Sequence, residues 1–165
     1  LAMTDVDREQ HEAFGKRANG RVWDLLGQAE RTADEDRELV DAVHASLWHW
    51  RYAGTLLHEQ RGEWLVSHVY ALLGRANAAL AHAQRCWDLT TEAGIEGFDY
   101  AYACEALARA HAIGGDAENA AQRRDRAEAA ASKVADDEDR AIFEGDIAAG
   151  PWASLGYKSA GDPPT

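Results

Sequence analysis

A chain of 165 residues is long enough for one domain with a sizeable core. Its formal net charge of −12 disfavours a phosphate-backbone partner, because nucleic-acid binding needs a basic footprint, and it equally disfavours an anionic membrane surface. No apolar run approaches the ~18 residues of a membrane span and no secretory signal is visible, so the expectation is a cytoplasmic protein whose natural start is Met3.

Helical spacing of Phe14, Ala18, Val22, Leu25 and Leu26 predicts a long first helix from Thr4 to about Glu30. Thr4 is its expected N-cap, with Asp5 and Asp7 favourable near the positive end. Gly15, Gly20 and Gly27 weaken this helix and allow a bend. Thr32-Ala33-Asp34-Glu35 is a capping-box pattern that opens a second helix. That helix runs through Leu39, Val40, Val43, Leu47 and Trp48 to about Tyr52, where Ala53-Gly54 ends it. Thr55 caps a third helix reaching Leu73. Gly74 stops it in the left-handed conformation, and no long loop follows, so the next helix is an antiparallel neighbour. The fourth helix extends to about Ala93 before Gly94, and the fifth covers roughly Phe98 to Ile113. Gly114-Gly115-Asp116 is a stop followed by a cap, and the sixth helix runs to about Val134. Asp136-Asp137 caps a shorter seventh helix with Ala141, Ile142, Phe143 and Ile147 on its inner side. It closes the open end of the stack, as a terminal repeat must. Gly150-Pro151 ends it and Trp152 folds back on the last hairpin. Residues 1–152 read as one domain, and 153–165 as a small, polar, loosely held tail.

The chain repeats itself. Gly74 and Gly115 are 41 residues apart, and the same shift carries Ala71 to Ala112, Ala79 to Ala120 and Trp23 to Trp64. Three-way matches link Leu25, Val66 and Leu107, then Ala45, Cys86 and Ala127. A period in this range marks a helical solenoid, and the small residues let helix pairs stack closely. The fold expected is all-α: about three antiparallel helix hairpins stacked as a short solenoid, with a C-terminal capping helix.

In one copy Val66, Ser67, Tyr70, Gly74, Ala79 and Cys86 follow the order apolar, small, aromatic, Gly, Ala, small. In the next copy the same places hold Leu107, Ala108, His111, Gly115, Ala120 and Ala127. This order resembles the tetratricopeptide repeat, well over residues 60 to 135 and poorly over 20 to 50. The period is longer than the usual ~34 residues, the closing Pro of each copy is missing, and the first copy lacks the central Gly. The resemblance implies that the first helix of each pair lines a concave face. Arg61, Trp64 and His68 would then face the groove from one copy, Tyr102, Glu105 and Arg109 from the next, and Trp23 and Gly27 from the first. Aromatic and arginine side chains in a concavity are common anchors for a peptide or small ligand. The competing reading is that Trp64 and Tyr102 only pack between helices. Relatives that clamp a terminal carboxylate use Lys and Asn where Trp64, His68, Glu105 and Arg109 stand, so a cationic or mixed ligand fits better.

Helix two concentrates His44, Trp48, His49, Trp50, Arg51 and Tyr52. Trp48 and Trp50 lie about 200° apart around a helix, so one of them faces a groove, pocket or partner. His44, Trp48 and Arg51 share a face. A small-molecule pocket between helices two, three and five would gather His44, Trp48, Trp50, Arg51 and Glu63. The alternative is a thick aromatic core.

No metal and no cofactor are expected. The seven histidines include no i,i+4 pair and no HExxH, although His44 could approach His68 near Glu63. His11 and His82 read as ordinary surface groups. Cys86 and Cys104 lack a CxxC neighbour and read as buried, reduced thiols. No nucleophile elbow, P-loop or dinucleotide fingerprint is present. A carboxylate pair such as Glu63 and Glu105 could do acid–base work only in a dry cleft. The favoured reading is therefore a non-catalytic module that binds a protein or peptide partner through its concave face, and a small-molecule binder, or less readily an enzyme, is the alternative. Homodimerisation through the helix-two aromatics or Trp152 is compatible with either. Trp64→Ala is expected to abolish binding and leave the fold largely intact.

Overall fold

The computed structural model of the chain describes residues 5–152, with side chains from residue 7 onward. The expected Thr4 cap and the tail after Trp152 lie outside the described residues. Seven α-helices follow one another: α1 (Asp5–Leu26), α2 (Ala33–Ala53), α3 (Leu56–Leu72), α4 (Ala76–Glu92), α5 (Gly97–Ile113), α6 (Ala117–Ala131) and α7 (Asp137–Ala148). They pack as the hairpins α1/α2, α3/α4 and α5/α6, stacked in chain order, with α7 closing on α5 and α6.

The helix ends explain the hairpins. Thr32 and Glu35 form the full capping box of α2, with each side chain bonding the other's backbone N–H. Gly74 and Gly115 both take positive φ, at 70° and 81°. At the first turn the Arg75 N–H donates to the Tyr70 carbonyl at 2.8 Å and the Gly74 N–H to Ala71 at 3.0 Å. At the second, Asp116 donates to His111 at 2.9 Å and Gly115 to Ala112 at 3.1 Å. These are the paired bonds of one recurring helix stop, and only glycine holds that backbone without a steric cost.

Packing follows residue size. Val22, Leu25, Leu39, Val43 and Val66 fill the core between the first two hairpins. Ala79, Ala83, Ala106 and Ala110 line the α3/α4/α5 seam. A Cβ added at Gly62 would sit 2.7 Å from Leu47 Cδ1, so glycine lets α3 close on α2. Phe143, Ile147 and Trp152 seal the far end against Ala101, Cys104 and Ala108.

Several expectations are corrected. Helix α1 stops at Leu26 rather than Glu30: Gly27 N–H makes the last i→i−4 bond, to Trp23, and Gln28 N–H bonds Leu25 three residues back, a tightened final turn. Helix α6 stops at Ala131 rather than Val134. Phe14 is half exposed, not part of the buried stripe. Its ring still meets His49 of α2 at 5.4 Å, and beside it buried Gly15 receives the Trp50 indole against its backbone. On α7, Phe143 and Ile147 are buried while Ala141 and Ile142 are exposed. Among the described residues no helix is long and apolar enough to cross a membrane.

Candidate functional site

One repeat position organises one side of the stack. Trp23, Trp64, Glu105 and Asp146 are each 41 residues apart and sit on α1, α3, α5 and α7. Trp23 and Trp64 stack at 6.4 Å with 26° between their planes. Trp64 Nε1 donates to Glu105 Oε2 at 3.1 Å. Asp146 Oδ2 accepts from the Tyr102 hydroxyl at 2.6 Å. The ladder runs from indole to carboxylate as it crosses the stack.

A half-open cleft of about 400 Å³ lies against it, walled by Trp23, Trp50, Trp64, Phe98 and Tyr102, with Asp146 and Ile142 contributed by α7. At its edge Arg61 grips Asp99 with both arms of its guanidinium, Nε to Oδ1 at 2.7 Å and Nη2 to Oδ2 at 2.9 Å. Trp50 is stacked on His58, with centroids 4.4 Å apart and planes 14° from parallel. Gln60, also in the wall, is 1% exposed and donates from Nε2 to Thr90 Oγ1 and to the Asp99 carbonyl. A carbonyl only accepts, so the amide orientation is fixed and Gln60 Oε1 is left without a partner.

Of the six residues expected in the groove, Arg61, Trp64 and Tyr102 line this cleft. His68, Glu105 and Arg109 sit outside its lining and hold Trp64 in place. Glu105 is 1% exposed and bonds Trp64 and Arg109 Nε, the latter at 2.6 Å. His68 stacks on Trp64 at 5.3 Å, and its Nδ1 is buried without a partner. Burial, then the Arg109 charge, holds the His68 pKa below its ordinary value. Burial, then the bond to Asp146, pushes the Tyr102 hydroxyl up. Gly27 is exposed at the end of α1 and is not part of the lining.

The pocket foreseen between helices two, three and five is not assembled from its expected residues. Only Trp50 reaches the cleft; His44, Trp48, Arg51 and Glu63 do not. Trp48 leans toward α1 and packs with His11, His49 and Tyr52. His44 and Arg51 turn away from Trp48, toward α3 and α4. There Glu63, 1% exposed, accepts from Arg51 at 2.5 Å and pairs with His82 Nδ1 at 2.6 Å. His44 Nε2 bonds the Tyr70 hydroxyl at 2.8 Å and lies against the His82 ring at 5.4 Å. His44 therefore approaches His82, not His68. His82 is no plain surface group, since its hydrogen bond closes this network. His11 is not one either, with Nδ1 2.8 Å from Nδ1 of His49. Burial raises the Glu63 pKa, but His82 and Arg51 together outweigh it and hold the carboxyl below its ordinary range.

Glu63 and Glu105 do not share a cleft: one is bound to α2 and α4 side chains, the other to Trp64 and Arg109. They form no acid–base pair. Cys86 and Cys104 are free and buried, and burial pushes the Cys104 thiol up to about 11. Among the described residues no cluster of His, Cys, Asp and Glu has metal-binding geometry. Among the cleft residues missed as groove members are Trp50, Gln60, Phe98, Asp99 and Asp146; carrying the 41-residue shift one step beyond Glu105 would have found Asp146. No family model matches the chain, and neither a curated protein nor a solved structure is significantly similar to it.

Proposed function

We propose that the chain is a non-catalytic helical-repeat module of the tetratricopeptide kind that recognises a protein or peptide partner through the face lined by α1, α3, α5 and α7. The observation that carries this reading is the aromatic cleft against the Trp23–Trp64–Glu105–Asp146 ladder. It is half open, concave and rich in indole surface, the chemistry of an anchor site for one or two side chains of a partner. The test is an array of short peptides of varied sequence, probed with the wild-type chain and with Trp23→Ala. Trp23 is 48% exposed, so its loss removes cleft surface with little damage to the core. Peptides that bind wild type and lose the variant support recognition. If no sequence in the array depends on Trp23, the groove assignment fails.

A second reading, a small-molecule binder, is favoured by one observation. Tyr102 is only 8% exposed, so that wall is drier than an open peptide groove requires. Native mass spectrometry separates the two readings. A retained mass that leaves on denaturation supports the small molecule, and a bare chain supports the peptide.

A further inference from the structure

We propose that the cleft binds the guanidinium of an arginine side chain on a partner peptide, an inference that rests on the recognition reading above and names its ligand chemistry. The ladder supplies the flat surface. Trp64 is held by stacking on Trp23 and His68 and by its N–H bond to Glu105, and the π surface open to a ligand is that of Trp23, which is 48% exposed. Trp50, stacked on His58, adds a second indole to the wall.

The charges are unbalanced in one direction. Around the cleft stand the carboxylates of Asp99, Glu105 and Asp146 against the guanidiniums of Arg61 and Arg109. Arg61 saturates Asp99 and Arg109 pairs with Glu105. Asp146 is the surplus negative group. It is exposed, Tyr102 occupies Oδ2, and among the described residues Oδ1 has no hydrogen-bond donor. Gln60 Oε1 also lacks a donor, but the atom itself is buried and is not open to a ligand.

Flat π surface and one unmatched carboxylate with a free oxygen call for a planar cation with several N–H groups. A guanidinium meets all of these at once: it stacks on indole, carries a permanent charge and donates in a fork. A primary ammonium supplies charge but cannot stack as a plane. A neutral aromatic ring stacks but leaves the Asp146 carboxylate unmet. The Arg61–Asp99 pair at the rim already uses the same chemistry within the chain.

The test uses the full chain at fixed ionic strength, with the tryptophan indole ¹H–¹⁵N signals as readout. The probes are N-acetyl-L-arginine amide, N-acetyl-L-lysine amide and N-acetyl-L-citrulline amide, the last keeping the length and planar end of arginine with three N–H groups in place of five and no charge. The arginine probe is expected to move the Trp23 and Trp64 signals saturably and to bind about fivefold or more tightly than either other probe. Asp146→Asn, which keeps an acceptor for Tyr102, is expected to weaken the arginine probe by a similar factor. Equal binding of citrulline, or an unchanged affinity in Asp146→Asn, overturns the proposal, because attraction would then be shape alone or the net charge of the whole chain. Equal binding of lysine overturns the guanidinium assignment. Peptides that lack arginine yet bind in a Trp23-dependent way would sink the proposal and leave recognition by the cleft standing. Failure of every probe, together with no Trp23-dependent peptide, removes both.

Discussion

Trp64 and Glu105 occupy the same place in successive hairpins and are joined there by a hydrogen bond of 3.1 Å. The bond ties the repeat to itself. It also fixes an indole that packs against all three hydrophobic clusters of the molecule. Sequence alone suggests that Trp64→Ala leaves the fold largely intact, and this packing leads to the opposite expectation. It is expected to cost about 3–5 kcal/mol, the range for an aromatic lost from a core. Trp64→Phe keeps most of the packing but leaves buried Glu105 short of one donor, at about 1–3 kcal/mol. Trp23→Ala is expected to cost less than either. Urea denaturation of the three variants checks the order, and a Trp64→Ala protein as stable as wild type would contradict the packing role.

The two glycine turns give a cleaner test, because a Cβ at Gly74 or Gly115 meets nothing within 4 Å. Any cost of substitution is then backbone strain alone. Gly74→Ala and Gly115→Ala are each expected to destabilise by about 1–2 kcal/mol, and Gly74→Val by more. Gly74→Asn should recover part of the loss, since Asn tolerates positive φ. Matching losses at the two sites in thermal melts would confirm that one turn recurs. A neutral Gly115→Ala would show that its positive φ is not required.

The stacked hairpins were legible because their signals are local. Glycine stops, capping residues and small residues at a fixed shift are each read within one copy. Helical periodicity also separates Trp48 from Trp50, but it cannot say which of the two meets a cleft, because both flanks of α2 are aromatic. That choice is made by Gly15, whose missing side chain admits the Trp50 indole beside α1. Glu63 and Glu105 show the other limit. Each is the only carboxylate nine-tenths buried on its own helix, yet they serve different networks, because their partners come from other hairpins. Sequence order along one helix does not encode which neighbour a buried carboxylate will meet.

Glu63 ties three helices together. Its partners Arg51 and His82 belong to α2 and α4, and it stands on α3 itself. Removing it takes the buried anion away from His82 and from Arg51, which is half exposed and keeps Glu59, and it breaks the tie between α2, α3 and α4. Glu63→Ala is expected to cost about 3 kcal/mol or more, and His82→Ala less, because Arg51 still neutralises the carboxylate. A double-mutant cycle on Glu63 and His82 should return a coupling well above the ~0.5 kcal/mol seen for independent sites. Additive losses would mean the contact contributes little.

Acid should destabilise the fold in two stages. Burial lowers the pKa of His44, His49 and His68 below the ordinary 6.5, aided in turn by His82, His11 and Arg109. A histidine held neutral in the fold stabilises it fully above its unfolded pKa, and that contribution is lost as pH falls through 6.5 toward the folded value. Glu63, held below its ordinary 4.5, adds a second loss only when pH drops past that value. Thermal midpoints should be flat above about pH 7.5 and begin to fall near pH 6.5. His68→Leu should flatten part of the first decline. An unchanged slope in that variant would place the titrating group elsewhere.

Trp152 holds the far end of the stack, and with it one end of the cleft. It is 4% exposed, its Nε1 donates to the Ile147 carbonyl, and the Arg109 and Arg124 guanidiniums lie over its ring at 6.0 and 5.1 Å. Because it packs with Phe143 and Ile147, it fastens α7 onto α5 and α6. Trp152→Ala should remove about 3 kcal/mol or more of packing, concentrated on that helix. The expected result is preferential opening of α7, read as early proteolytic cleavage between 137 and 148 while α1–α4 stay protected. Asp146 rides on α7, so the same variant should weaken binding of the arginine probe even where the Trp23 and Trp64 indoles are undisturbed. Global unfolding with no early cleavage would mean that α7 is no separable cap but part of one cooperative unit with the hairpins.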